Sequence, residues 1–143
     1  MKPINKLVGG LLLVSLLFNV YMLSEGNQKV ATKKVDQEFK VSIRRIASAL
    51  ISENGDYGSY LLAMEHSSRA NSLSRFTSYA KRNGNVGGYT AEFINAFRNL
   101  ILNKKQVKET DEIIDLLSKL AANPESIETA GNILILLNEE SIP

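Results

Sequence analysis

The sequence predicts an all-α chain: a single hydrophobic helix of membrane-anchor type, followed by a small bundle of about five amphipathic helices. Three observations carry that prediction. Seventeen residues without a charge, Leu7 to Leu23, lie near the start. Downstream, apolar residues recur at helical spacing, and turn and cap signals divide them into short segments. Where an apolar run could be read as a buried strand, at Ile133–Leu137, no second strand is available to pair with it.

The 143 residues suit one ordinary domain, and an apolar fraction of 44% is that of a globular protein. The division expected is 1–24 as anchor or signal segment and 25–143 as a soluble helical domain. Leu7–Leu23 would span about 25 Å as a helix, the short end of the membrane-crossing range. Lys6 can extend its charge toward the headgroups, and Tyr21 falls at an interfacial level. Ser15 and Asn19 share a helix face, where they can bond a partner helix or be tolerated without one. A cleavable secretory signal is the rival reading, since Lys2 and Lys6 make a basic start. Ser24-Glu25-Gly26 is a poor exit for such a peptidase, which favours a retained single-pass anchor in the cell membrane; cleavage would make the domain a secreted one. Lys29, Lys33, Lys34 and Lys40 on the far flank argue for a cytoplasmic domain, the basic start for an extracytoplasmic one. The second is preferred.

Each helix of the bundle has its own signals. The first is expected from about Val30 to Glu53, after the polar stretch Ser24–Gln28. Its stripe is Phe39, Ile43, Ile46 and Leu50, and Asn54-Gly55-Asp56 ends it. The second covers about Gly58–Arg82, with Tyr60, Leu61 and Met64 inward in its first part and Leu73, Phe76 and Ala80 in its second. Ser67, Ser68, Asn71 and Ser72 dilute that stripe and suggest a kink or break. Asn83–Gly88 reads as a loop. A third helix takes Thr90 as N-cap and buries Phe93, Ile94, Phe97, Leu100 and Ile101, closing at Asn103-Lys104-Lys105. A fourth takes Thr110 as cap, with Asp111 and Glu112 in its first turn and Ile113, Ile114, Leu117 and Leu120 inward. The fifth starts at Asn123 with Pro124 at its first position and carries Ile127, Ala130, Ile133, Leu134 and Leu137. Its run Ile133–Leu137 is apolar all round, which predicts a central place in the core. The Phe39–Leu50 stripe is too short for a coiled-coil dimer seam, so packing within the chain is expected.

Function is less legible. With no cysteine, thiolate catalysis, cysteine zinc sites and disulfides are excluded. The one histidine, His66, has no companion suited to a metal, and Glu65 beside it points about 100° away on a helix. Glu53, Glu65 and His66 are nevertheless the only plausible actors if the chain hydrolyses envelope material. Gly84–Gly88 resembles a phosphate loop in composition, but it lacks the preceding strand and the lysine, and reads as a connector. No catalytic residue, cofactor or metal is therefore expected, nor any nucleic-acid partner.

Charge is more informative than the net +2. Residues 1–108 hold sixteen Lys/Arg against seven Asp/Glu, about +9, whereas residues 109–143 hold one against eight, about −7. The halves are expected to attract each other within one fold. Arg69, Arg75, Lys81 and Arg82, with Phe76 and Tyr79 interleaved, form a candidate contact for an anionic surface. The plainer alternative is a solvated face whose aromatics belong to the core. No family motif is present, although the usage rich in lysine, asparagine, serine and isoleucine resembles that of bacterial proteins. The function expected is a membrane-anchored interaction module, an adaptor, regulator or assembly factor with a protein partner at the membrane. Binding of anionic lipid is the alternative, and hydrolysis of envelope material a more distant one.

Overall fold

One helix frames the molecule. In the computed structural model, which describes the backbone of residues 3–52, 57–82 and 85–139 and side chains of Ser15, 26–51, 57–82 and 85–139, helix α1 runs unbroken over Pro3–Ser52. At 1.5 Å per residue its 50 residues extend about 75 Å. The expected interruption at Ser24–Gln28 does not occur, and the helix anticipated from Val30 is the second half of α1. The physical reason is that Glu25, Gln28 and Lys29 are good helix formers, and polarity alone is not a breaker. Gly26 alone is a poor former there, and nothing lies within 4 Å of a Cβ built on it. Apart from Ser15, the side chains of Leu7–Leu23, on which the anchor expectation rests, lie outside those described. Among the described residues no helix is long and apolar enough to cross a membrane.

Five further helices follow: α2 Tyr57–Ser74, α3 Ser78–Arg82, α4 Val86–Leu102, α5 Thr110–Ala122 and α6 Ile127–Asn138. Among the described residues there is no strand, so the chain is an all-α bundle. On α1 the stripe Phe39, Ile43, Ile46 and Leu50 is buried to within 1%, as its spacing predicts.

Helix α2 departs most from expectation. Its buried face is Ser59, Tyr60, Ala63, Ser67, Ala70 and Ser74, whereas Leu61 is 42% exposed. Of the residues expected to dilute the stripe, Ser67 belongs to the buried face, whereas Ser68 and Ser72 are exposed as polar residues should be. Ser67 donates its hydroxyl to the Ala63 carbonyl (2.7 Å) and Ser74 to Asn71 (2.7 Å). Bonded to its own helix, each serine behaves as a small core residue, and α2 continues through the anticipated kink. It ends after Ser74, where the Phe76 and Thr77 amides bond back to Leu73 and Ser74.

Helix α4 begins a full turn before Thr90, taking up Val86, Gly87 and Gly88 from the segment expected to be a loop. Burial of Val86 (1% exposed) and Tyr89 (7%) recruits that turn. Gly87 permits it, since a Cβ there would lie 3.2 Å from Ser74 Oγ across the α2 contact. Thr90 is fully buried, and its hydroxyl lies 2.9 Å from the Val86 carbonyl and 3.1 Å from Asn71 Oδ1. The Tyr60 and Phe97 rings stack at 6.3 Å, so α2 and α4 run antiparallel. The C-terminus closes at the expected residues: Lys104 adopts φ 53°, and the Lys105 amide reaches the Leu100 carbonyl at 3.0 Å, a left-handed cap that glycine usually fills.

Helices α5 and α6 form the remaining corner. Glu109, not Thr110, is the N-cap of α5. Ile113, Leu117 and Leu120 are completely buried, as their spacing predicts. Pro124 does not open α6. It bars the helical region to Asn123 (φ −126°, ψ 83°), which ends α5. Ser126 then caps α6, its Oγ accepting the Thr129 amide. The Pro124 carbonyl accepts the Tyr89 hydroxyl at 2.8 Å. Within Ile133–Leu137, Ile133 and Leu137 are buried but Ile135 is 57% exposed; Ile127, also expected inward, is 49% exposed. Helix α6 covers α5 and α4 with one face only, so it is not the core's centre.

Candidate functional site

A groove of about 820 Å³ lies where the middle of α1 passes the corner between α2 and α3. From α1 it takes Lys29, Lys33 and Asp36; from the corner, Arg75, Phe76, Ser78 and Lys81. Sequence chemistry fixes that corner. Thr77 bonds Ser74 at 2.7 Å through its hydroxyl and accepts the Ala80 amide, capping α3. Asp36 accepts both the Ser78 amide and the Ser78 hydroxyl at 2.7 Å. A carboxylate at the positive end of a helix is well placed, and here it clamps α3 to α1.

The clamp leaves Arg75 and Phe76 displayed at the bend. Phe76, expected in the core, is 56% exposed, with the Arg75 guanidinium 4.9 Å from its ring centre. It fails to bury because α2 stops at Ser74, which breaks the helical phase that would have carried it inward. Tyr79 is buried instead: it packs on Phe39 at 6.1 Å, with Lys40 at 5.7 Å and Arg82 at 5.5 Å from its ring.

Of the four sequence-predicted contact residues, the groove therefore gathers Arg75 and Lys81. Arg69 turns away to Glu38 of α1 at 2.8 Å, an exposed pair of the kind that contributes at most about 1 kcal/mol. Arg82 turns to Glu125, with bonds of 2.8 and 3.1 Å. The hydrogen bond from Arg82 holds the Glu125 carboxyl below its ordinary range, and the same bond raises the Arg82 guanidinium. This pair joins the basic body to the acidic C-terminal stretch, as the segmental charges predicted.

Of the candidates for acid–base chemistry, two are described. His66 is partly buried and Glu65 exposed; Glu53 and Asp56 lie outside the described residues. Burial lowers the His66 pKa, Arg45 and Arg69 add to that, and Glu65 opposes it. Among the described residues, no cluster of His, Asp and Glu is placed to hold a metal ion.

The chain matches no protein-family model, no characterised protein and no solved structure.

A second hollow, of about 470 Å³, lies at the opposite end of the bundle between Tyr57, Tyr60 and the end of α4 at Leu100–Leu102, with Lys104 and Lys105 at its edge. Around that end Ile51 (61%), Tyr57 (58%) and Leu102 (71%) are exposed, and Leu61 and Leu62 follow one turn along α2. Of these, Tyr57 and Leu102 border the hollow itself.

Proposed function

We propose that the chain is a single-pass, membrane-anchored module whose helical domain docks another protein and does no chemistry of its own. The observation that carries the reading is α1. One unbroken helix joins the uncharged stretch Leu7–Leu23 to the stripe Phe39–Leu50, about which the bundle is packed. A flexible linker would let a domain wander from its anchor, whereas a continuous helix fixes its height and facing. The division at 24/25 is thus one of environment, with the apolar third in lipid and the rest outside it, on the extracytoplasmic side by preference.

Height and facing matter for a protein that must present a surface to a neighbour. The exposed apolar residues Ile51, Tyr57, Leu61, Leu62 and Leu102 lie at the end of the bundle farthest from Leu23 along α1. That is where the partner is placed in this reading, with the aromatic Tyr57 as anchor. The test is photocrosslinking of the full-length chain in its native membrane from Tyr57 and, as control, from Glu128, which is exposed at the other end of the bundle. A discrete adduct from Tyr57 alone is expected. A chain that resists alkaline extraction yet yields no reproducible adduct would remove the docking role and leave the anchor standing.

A further inference from the structure

We propose that the groove between α1 and the α2–α3 corner is a site for the phosphate-bearing headgroups of anionic lipids. The proposal rests on the anchored reading and gives that anchor's surroundings a chemical preference.

Charge comes first. Arg69 and Arg82 are each answered by a glutamate outside the groove. Inside it, Lys33, Arg75 and Lys81 are exposed. Asp36, the carboxylate in the lining, is occupied by two 2.7 Å bonds to Ser78. Lys33, Arg75 and Lys81 thus outnumber the one carboxylate of the lining, and that excess of cations makes a site for phosphate, which both lysine and arginine bind well. Phe76 adds an exposed ring beside them, and an aromatic ring backed by a guanidinium suits the boundary between headgroup and acyl chain.

Position decides between a membrane and a soluble acidic partner. Lys29 and Lys33 lie six and ten residues beyond Leu23 on the same helix, about 9 and 15 Å along its axis. The groove is thus at the bundle's anchor-proximal end and within about two screening lengths of the bilayer at physiological salt. An anchored chain keeps this surface beside lipid permanently, whereas an acidic protein would first have to enter that gap.

The absence of tryptophan supplies the probe. The full chain carrying Phe76→Trp, with its single indole at the groove, is reconstituted into phosphatidylcholine vesicles with and without phosphatidylglycerol. Expected are resistance to carbonate extraction from both, and a blue-shifted emission, quenched by brominated phosphatidylglycerol, only where the anionic lipid is present and only at low salt. Adding Lys33→Gln and Lys81→Gln should reduce the docked-to-undocked ratio roughly thirtyfold, at about fivefold per cation near an anionic surface. An inserted chain whose indole emits identically in both vesicles overturns the groove site alone. So does an indole that responds to soluble polyglutamate but not to phosphatidylglycerol, which assigns the groove to an acidic protein. Release by carbonate from both vesicles overturns the anchor and the site together.

Discussion

Two parts of this bundle achieve complete burial by opposite means. Beyond Tyr60, where α2 is wedged against α1 and α4, the covered side chains are small: Ala63, Ser67, Ala70 and Ser74, with Gly87 and Thr90 on the α4 side. At the α5–α6 corner they are large: Ile113, Leu117, Leu120, Ile133 and Leu137. Small residues let backbones approach and leave little space to fill, while branched aliphatics fill the volume between backbones held apart. The first solution gains less apolar transfer free energy per side chain but tolerates hydroxyls, provided each is bonded to its own helix. The second depends on volume. The two should therefore respond oppositely to changes in size.

The largest effect is expected at the corner. Truncation of completely buried Leu117 to alanine removes three carbons from a site whose neighbours are rigid helices, and should lower stability by about 2–5 kcal/mol. Urea unfolding of the detergent-solubilised chain, followed by circular dichroism, measures it. A loss below about 1 kcal/mol would mean that the corner collapses around the cavity and is not volume-limited.

The converse change belongs to the seam. Ala63→Leu places a large side chain at a position with no exposed surface, between helices that small residues hold close. A loss of about 1–3 kcal/mol is expected from overpacking. If the substitution stabilises the fold, α2 has unfilled space beside it and the contrast with the corner disappears.

This contrast also explains what could be read from the sequence. The α5 half of the corner was legible: Ile113, Leu117 and Leu120 announce a helix by apolar spacing alone, and the Phe39–Leu50 stripe does the same for α1, whereas the apolar run of α6 hid that Ile135 faces outward. The seam was not, because hydropathy counts Ser67 and Ser74 as polar and cannot register that each hydroxyl is bonded one turn back. Thr90 misled for the same reason, since the chemistry that makes threonine a good cap also satisfies it inside a helix. The groove was half legible. Arg75 and Lys81 were in the predicted patch, but so were Arg69 and Arg82, whose partners Glu38 and Glu125 are 31 and 43 residues away. The cap at Thr77, which ends the α2 phase and turns Phe76 outward, does have a local signal in the residue type itself. The Asp36 clamp had none, lying 42 residues from Ser78.

If hydroxyls in the seam are neutral fillers, Ser67→Ala should change stability by no more than about 1 kcal/mol. The Ala63 carbonyl that accepts the hydroxyl is also an acceptor within α2, so no buried group is orphaned. A loss of about 2 kcal/mol or more in thermal unfolding would instead show that the hydroxyl is an essential bond.

The smallest effect tests the seam's flank by pH. His66 lies between Ala63 and Ala70 on α2, and burial, helped by Arg45 and Arg69, lowers its pKa from 6.5. The folded state then binds the imidazole proton less readily than the unfolded chain. The sign follows from linkage: the contribution is fully present above pH 6.5, where His66 is neutral in both states, and is lost as pH falls through the lower folded value. Glu125, also held below its ordinary range, gives up its contribution only in the more acid carboxylate region, below its ordinary 4.5. The difference between the native chain and His66→Gln, followed from about pH 7 to about pH 5, isolates the imidazole. The native chain should lose stability across that interval and the variant should not. Parallel curves would mean that the flank of α2 is as wet around His66 as an isolated helix, which would confine the close packing of the seam to its small-residue face.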